Sequence, residues 1–152
     1  MEALDVTTTA RPRVRAALPT DLPAIEGLLT ASGLPLDGVR DHLATFVVAE
    51  ASGDLVGVAG AECCVAHALL RSVAVHPAWR AHGVGRALVT RVIADAEARG
   101  ISALYLLTTT AERYFPGFGF RTITRDDVPD DIRATAEFRT LCPASATVMR
   151  RP

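Results

Sequence analysis

The sequence predicts one mixed α/β domain of 152 residues, with a mostly antiparallel central sheet and helices on both of its faces. Three observations predict it. Apolar runs at residues 46–49 and 55–61 flank the turn Ala51-Ser-Gly-Asp54, which is the pattern of an antiparallel hairpin. Within residues 83–99, Val84, Leu88, Val92 and Ala96 recur every fourth position, giving a helix one apolar face to lay on a sheet. Residues 101–108 are apolar without polar alternation, which suggests a strand covered on both faces.

The remaining elements follow in order. Residues 14–18 form a short strand after a polar tail, and Pro19, Thr20 and Asp21 open a helix through Leu29, with Thr20 or Asp21 as its cap. Residues 32–35 break that helix. A second short helix is expected at 36–43, where Leu36, Val39 and Leu43 are spaced to share a face. Residues 69–75 are a strand ended by His76-Pro77, and Gly100 stops the long helix. A short helix at 111–115 ends near Pro116. A strand at 120–124, a helix at 130–138 and a last strand at 146–149 complete the chain. Residues 144–149 are the candidate sheet edge for a homodimer, or else simply close the monomer.

Composition excludes several classes. Sixteen basic against seventeen acidic side chains leave a formal charge of -1, so no electrostatic footprint for nucleic acid is present. No apolar run reaches the ~18 residues of a membrane span. The N-terminus lacks the order of a signal peptide, which makes a cytoplasmic enzyme the default expectation. Cys63, Cys64 and Cys142 have no metal-ligand spacing, and adjacent strand residues point to opposite faces. No metal is therefore expected, although a soft-metal or arsenic(III) site completed by Cys142 is the minority alternative.

Chemistry concentrates between Leu70 and Leu88. A strand runs into Arg80-Ala-His-Gly-Val-Gly85, and a helix follows. A helix start carries free backbone N–H groups and about half a positive charge, so it suits an anionic ligand. Gly83 and Gly85 allow close approach or positive φ, and Arg80 and Arg86 can neutralise a diphosphate. No Lys-Ser or Lys-Thr follows, so this is not a Walker loop. It also lacks the βαβ context of a dinucleotide fingerprint.

Arg80 to Gly85, preceded by Val73-Ala-Val75-His-Pro77, resembles the acetyl-CoA-binding motif of the Gcn5-related N-acetyltransferase (GNAT) superfamily. The resemblance spans residues 14–149. It narrows at Leu70-Arg-Ser-Val-Ala-Val75, Leu104-Tyr-Leu-Leu-Thr-Thr-Thr-Ala-Glu112 and Thr140-Leu-Cys-Pro-Ala-Ser-Ala146. Those segments are similar to the small N-acetyltransferases of bacterial arsenic-resistance operons and, more loosely, to the acetyltransferase domain of N-acetylglutamate synthase. The resemblance implies acetyl-CoA as co-substrate, its pantetheine lying beside Val73 and Val75 where two strands splay apart. It also implies a pyrophosphate on the amides of Ala81, His82, Gly83, Val84, Gly85 and Arg86, with Thr108, Ala111 and Phe115 completing the cofactor side.

Acetyl transfer to an amine needs a drained proton, a polarised carbonyl and a stabilised leaving thiolate. The N–H of Val73 is the candidate for the carbonyl. Where many superfamily members carry a general-acid tyrosine this chain has Phe115, with Tyr114 one position earlier, so Tyr114 is either the acid or an aromatic wedge. By the same resemblance, Leu69 stands where some superfamily members carry a catalytic glutamate. Glu62 is then either the base or a solvent-facing strand-end carboxylate, with His67 as a weaker candidate. Arg71 interrupts an apolar strand on the face that alternation assigns to Val73. It needs an internal carboxylate or a substrate anion. Ser72 beside it and Arg133 on the late helix join it as candidate acceptor-binding residues. The resulting expectation is direct transfer in a ternary complex to a small amino-acid-like amine. The alternatives are a peptide or protein acetyltransferase and a non-catalytic acyl-CoA sensor.

Overall fold

The computed structural model describes residues 11–140 and 146–152. Seven strands form a single sheet: β1 (Arg13–Ala16), β2 (Phe46–Ala51), β3 (Asp54–Cys63), β4 (His67–Val75), β5 (Ala103–Thr108), β6 (Arg121–Ile123) and β7 (Thr147–Arg151). Their order is β1-β2-β3-β4-β5-β7-β6, and every pairing is antiparallel except β4 with β5. The helices are α1 (Leu22–Ala31), α2 (Val84–Ala98), α3 (Asp130–Arg133) and α4 (Ala136–Thr140).

The expected hairpin forms as β2 and β3, joined by Ser52 and Gly53, both at positive φ as a two-residue turn requires. The fourfold stripe of α2 packs Val84, Leu88, Val92 and Ala96 against Val47, Ala59, Leu70 and Leu104 on one face of the sheet. On the other face, Ile25 and Leu29 of α1 meet Phe46, Val48 and Val58, while Ile132 and Phe138 cover Leu69 and Tyr105. Strand β5 is buried along its whole length, as its unbroken apolar run implies.

Four expectations need correction. No α-helix forms over residues 36–43: residues 37–42 are turns and Leu43 opens a 3-10 helix, because Gly38 sits at φ +82°, outside right-handed helical space. Residues 111–115 form a turn leading into a 3-10 helix, Phe115–Phe118, in whose first turn Pro116 is tolerated because an N–H there has no helical partner. The late helix is divided. The Thr135 hydroxyl bonds the Ile132 carbonyl at 2.7 Å and accepts the Phe138 N–H at 3.3 Å, closing α3 and starting α4. Finally, β7 is an interior strand between β5 and β6, so residues 146–149 present no edge; Ala144 and Ser145 lie outside the described residues.

A β-bulge decides where β4 points its side chains. Pairing with β3 shifts so that Gly60 opposes Arg71 while Val58 opposes Ala74, leaving one extra residue in β4. Ser72 within it adopts φ +61°, a conformation uncommon for any residue but glycine. The parity of the strand changes there. Ala68 and Leu70 face α2 before the bulge, whereas Val73 and Val75 face it afterwards. Arg71 and Val73 therefore lie on opposite faces, contrary to simple alternation.

Arg71, which is 2% exposed, is tied into the protein itself. Its Nη1 donates to Glu62 Oε2 at 2.6 Å and to the Asp37 carbonyl at 2.5 Å. Nη2 donates to the Pro35 carbonyl at 3.2 Å, and Nε donates to the Ser72 hydroxyl at 2.9 Å. Glu62, also 2% exposed, accepts the N–H groups of Ala136 at 2.8 Å and Glu137 at 3.1 Å, with His42 Nε2 3.5 Å from Oε1. One ion pair thus binds β3 and β4 to the 35–38 turn and the start of α4. Gly38 is required by contact as well as by φ, since a Cβ there would lie 2.7 Å from Ala136 Cβ and 3.2 Å from Arg71 Nη1. Removing one partner of such a buried pair strands the other charge. Arg71→Ala is expected to lower the unfolding free energy by about 3–5 kcal/mol, measured by urea denaturation. An unchanged midpoint and slope would contradict this role.

Candidate active site

Strands β4 and β5 pair only at His67–Ala103, Ala68–Leu104 and Leu69–Tyr105. The bulge at Ser72 follows, the two strands separate, and a cleft of about 580 Å³ opens between them. Val73, Val75, Leu106 and Thr108 line it. The splaying expected beside Val73 and Val75 is present. From Ser72 onward β4 is paired with β3 on one side, while its β5 side faces the cleft. That edge carries main-chain donors and acceptors suited to an extended ligand.

The loop at the end of β4 is built by short-range bonds. His76 Nδ1 accepts the Ala78 N–H at 3.1 Å, and Arg80 Nε donates back to the Val75 carbonyl at 3.2 Å. Ala81 at φ +65° and Gly83 at φ +80° then turn the chain into α2. The first α2 bond runs from the Ala87 N–H to the Gly83 carbonyl, so the amides of Val84, Gly85 and Arg86 precede the helical ladder. Gly85 is demanded by closeness: a Cβ there would lie 3.2 Å from the Tyr114 hydroxyl and 3.6 Å from Val75 Cγ2. His82 packs edge-on to Trp79, and the exposed Arg86 lies over the Phe118 ring, 5.5 Å from its centroid.

The opposite wall comes from the segment after β5. The Thr108 hydroxyl accepts the Ala111 N–H at 2.9 Å and closes the turn, leaving both residues on the cleft. Phe115 is buried against Phe118 and Phe120. Tyr114 is 42% exposed and stands at the rim beside Gly85, edge-on to both Phe115 and Phe118. Burial of part of the ring raises its hydroxyl pKa, and the charge of Arg86 opposes that shift.

The inner end of the cleft departs most from the sequence reading. Glu62 is no solvent-facing carboxylate: it is buried, and its oxygens are taken by Arg71 and two backbone amides. Arg71 and Ser72 do line the cleft, yet the Arg71 guanidinium already holds an internal partner. Arg133 is turned away: Nε donates to the Val128 carbonyl at 3.1 Å and Nη2 to that of Arg125, so it does not line the cleft. A one-turn helix leaves its side chain within reach of the preceding carbonyls. His67 pairs with Asp131 at 3.0 Å, also outside the cleft. Cys63 and Cys64 belong to different packing clusters, and burial raises both thiols above the ordinary range, the reverse of activation. Among the described residues, no three His, Cys, Asp or Glu side chains are grouped to hold a metal, and Cys142 lies outside them.

Sequence reasoning missed Glu137. It is 4% exposed, lines the cleft from α4, and places Oε1 3.7 Å from Arg71 Nε. Burial pushes its pKa up to about 7; Arg71 works against that rise and the neighbouring Glu62 charge adds to it. The signal in the sequence was a lone acid next to a buried phenylalanine in Ala134-Thr-Ala-Glu-Phe138. Because the folded pKa exceeds the unfolded one, this group favours the fold at low pH and loses that contribution as pH rises from about 4.5 to about 7. Glu137→Gln is accordingly expected to flatten the fall in stability over that window, read from urea midpoints at stepped pH. An identical pH dependence in both proteins would contradict the assignment.

Comparison with known proteins places this geometry. Residues 42–122 match the family model for the acetyltransferase (GNAT) domain. Amino-acid acetyltransferase of Neisseria meningitidis is 30% identical over 133 residues, covering 79% of this chain and 30% of that protein. The enzyme of the same name from Aeromonas salmonicida is 30% identical over 126 residues, covering 77% and 28%. This chain therefore spans less than a third of the length of those relatives. N-acetylglutamate synthase from Neisseria gonorrhoeae, solved with coenzyme A and N-acetyl-glutamate, superposes with a TM-score of 0.80 at 26% identity, covering 93% of this chain and 35% of that one. A Mycobacterium tuberculosis protein solved with CoA gives 0.79 at 26% identity, covering 92% and 98%. The sheet that opens after three parallel pairs, the glycine loop at the helix start and the family match agree: the chain belongs to the GNAT acetyltransferase family.

Proposed function

We propose that the protein transfers the acetyl group of acetyl-CoA to the primary amine of a small amino-acid-like acceptor, by direct attack in a ternary complex. The observation that carries this reading is the free β5-side edge of β4, leading from Val73 to the first amides of α2. An extended, amide-bearing and anionic thioester needs strand-type bonds followed by an anion site, and this path offers both. Gly85 keeps the route narrow but open, since a side chain there would meet Tyr114 and Val75.

In this reading Val73 and Val75 bind the pantetheine amides through their main chain. The amides of residues 81–86, with Arg80 and Arg86, receive the pyrophosphate. The Val73 N–H donates to the thioester carbonyl oxygen as negative charge develops on it. A CoA thiol has a pKa near that of cysteine, about 8.5, so the leaving thiolate requires only modest help. Tyr114 offers a hydroxyl at the cleft rim for that purpose. The acceptor enters from the inner end, past Ser72, Pro35 and Glu137. An amino-acid-like acceptor is supported by the relatives named amino-acid acetyltransferase and by the structural neighbour holding N-acetyl-glutamate. Arsenical and phosphinate analogues of glutamate share that shape and belong in the same class. Neither Cys63 nor Cys64 carries the acetyl group, because burial raises both thiols and Arg99 only partly offsets it at Cys63.

Calorimetry with acetyl-CoA tests the placement. Gly85→Val is expected to weaken binding at least about tenfold, or about 1.4 kcal/mol, and equal affinity would refute it. Turnover of wild type against amino acids, their phosphinate and arsenical analogues, polyamines and peptides tests the acceptor. Activity with small amino compounds supports the reading; turnover of peptides alone, or tight binding without turnover, overturns it.

A further inference from the structure

The acetyl-transfer reading leaves one step without an agent. The acceptor amine is mostly protonated at neutral pH and must lose a proton before it can attack. Leu69, the last β4 residue paired with β5, is buried against Tyr105 and Ile132 on the face away from α2 and offers no carboxylate. Glu62 is occupied by its ion pair, and His67 lies outside the cleft.

We infer that Glu137, projecting into the cleft from α4, is the general base that takes the acceptor's proton, and that Arg71 and Glu62 hold it there. The inference rests on the acetyl-transfer reading and names the residue that the reading lacks. Three features carry it. Glu137 is the sole carboxylate lining the cleft among the described residues, and it sits in the same inner end as Ser72 and Pro35. Its backbone N–H is fixed at 3.1 Å on Glu62 Oε2, so its position is set by the buried pair and not by solvent. Its carboxylate stands 3.7 Å from Arg71 Nε, beyond hydrogen-bond reach of a guanidinium whose nearer bonds go to Glu62, Ser72 and the 35–38 turn. The oxygens thus remain available to a substrate.

The charged groups around it set its basicity. Arg71 on β4 favours the carboxylate, while Glu62 on β3 opposes it. His42, 3.5 Å from Glu62, adds a positive charge on that side when protonated. Arg71 is shared between two acids, so it cannot hold Glu137 as a weak base. A carboxylate titrating at about 7 accepts a proton from an ammonium with far less uphill work than one titrating at 4.5.

The step balances as follows. One proton passes from the ammonium to a Glu137 oxygen. The freed nitrogen lone pair forms the C–N bond to the acetyl carbon, and the C–S bond breaks with its electron pair leaving on sulfur. The second amine proton neutralises the thiolate, giving amide and free CoA thiol, and Glu137 returns its proton to water. The net proton released accounts for the ammonium's lost charge.

Glu137→Gln is the test, with L-glutamate or the fastest amine of the panel as acceptor. Its kcat/KM is expected to fall about 10²- to 10⁴-fold, with the acetyl-CoA dissociation constant unchanged by calorimetry. Wild-type kcat/KM should climb with pH and level near pH 7, the titration of Glu137, although the amine continues to deprotonate above it. In the variant the climb should continue without that break. Equal rates and equal profiles in the two proteins would overturn Glu137 while leaving acetyl transfer standing. Binding of acetyl-CoA by wild type without turnover of any amine would overturn both. Should the variant fail to fold, the wild-type profile alone decides: a rise that continues through pH 8 without a break would overturn the assignment.

Discussion

The Arg71–Glu62 ion pair is the constraint on which the inner half of the molecule depends. Two charges removed from water cost several kcal/mol each unless their bonding is complete, and here it is nearly complete. The guanidinium reaches a carboxylate, a hydroxyl and two carbonyls, while the carboxylate returns two bonds to the start of α4. Short irregular segments such as the 35–38 turn and the one-turn helices α3 and α4 have little internal stability. They are positioned because their backbone groups are the partners that the buried charges require. Substituting a matched apolar pair could preserve stability, yet it would release the turn and the helix that shape the cleft.

The outer half obeys a different constraint, that of main-chain geometry. One extra residue in β4 rotates the strand at Ser72, moves Val73 and Val75 to the α2 face and places Arg71 opposite them. Pairing with β5 ends just before that point. The sheet is therefore interrupted where α2 begins, bringing a free strand edge and a helix N-terminus into one path. Extended bonding and an anion site are then available from the main chain, with Arg80 at the loop end of the groove and the other charges, Arg71 and Glu137, at its inner end.

Much of this was legible in the sequence, because it rests on local pattern. The fourfold stripe of α2, the Ser52-Gly53 turn and the unbroken apolar β5 each fix a period or a backbone sign. So did the Arg80–Gly85 run, whose glycines now have separate reasons: positive φ at Gly83 and close approach at Gly85. The inner end was not legible, because its bonds join residues 35, 37, 62, 71 and 136, which no local window brings together. Arg71 was recognised as needing a partner, but alternation put it on the wrong face, since a bulge leaves no mark on a single sequence. Helix expectations at 36–43 and 130–138 failed at Gly38 and Thr135, one by backbone sign and the other by a side chain that competes for main-chain bonds. Glu137 was hidden for the same reason as Arg71's partners: its significance comes entirely from residues distant in the chain.

The proposed function requires the opened edge of β4 and the start of α2 to form one continuous binding path. Amide NMR of the labelled protein during titration with acetyl-CoA tests it most directly, because it reports each main-chain N–H separately. Large shifts are expected at Val73, Val75, Val84, Gly85 and Arg86, with small ones along the α2 residues Arg91 and Asp95 on the far side. Shifts centred on Arg91 and Asp95, with Val73 and Gly85 unmoved, would contradict it.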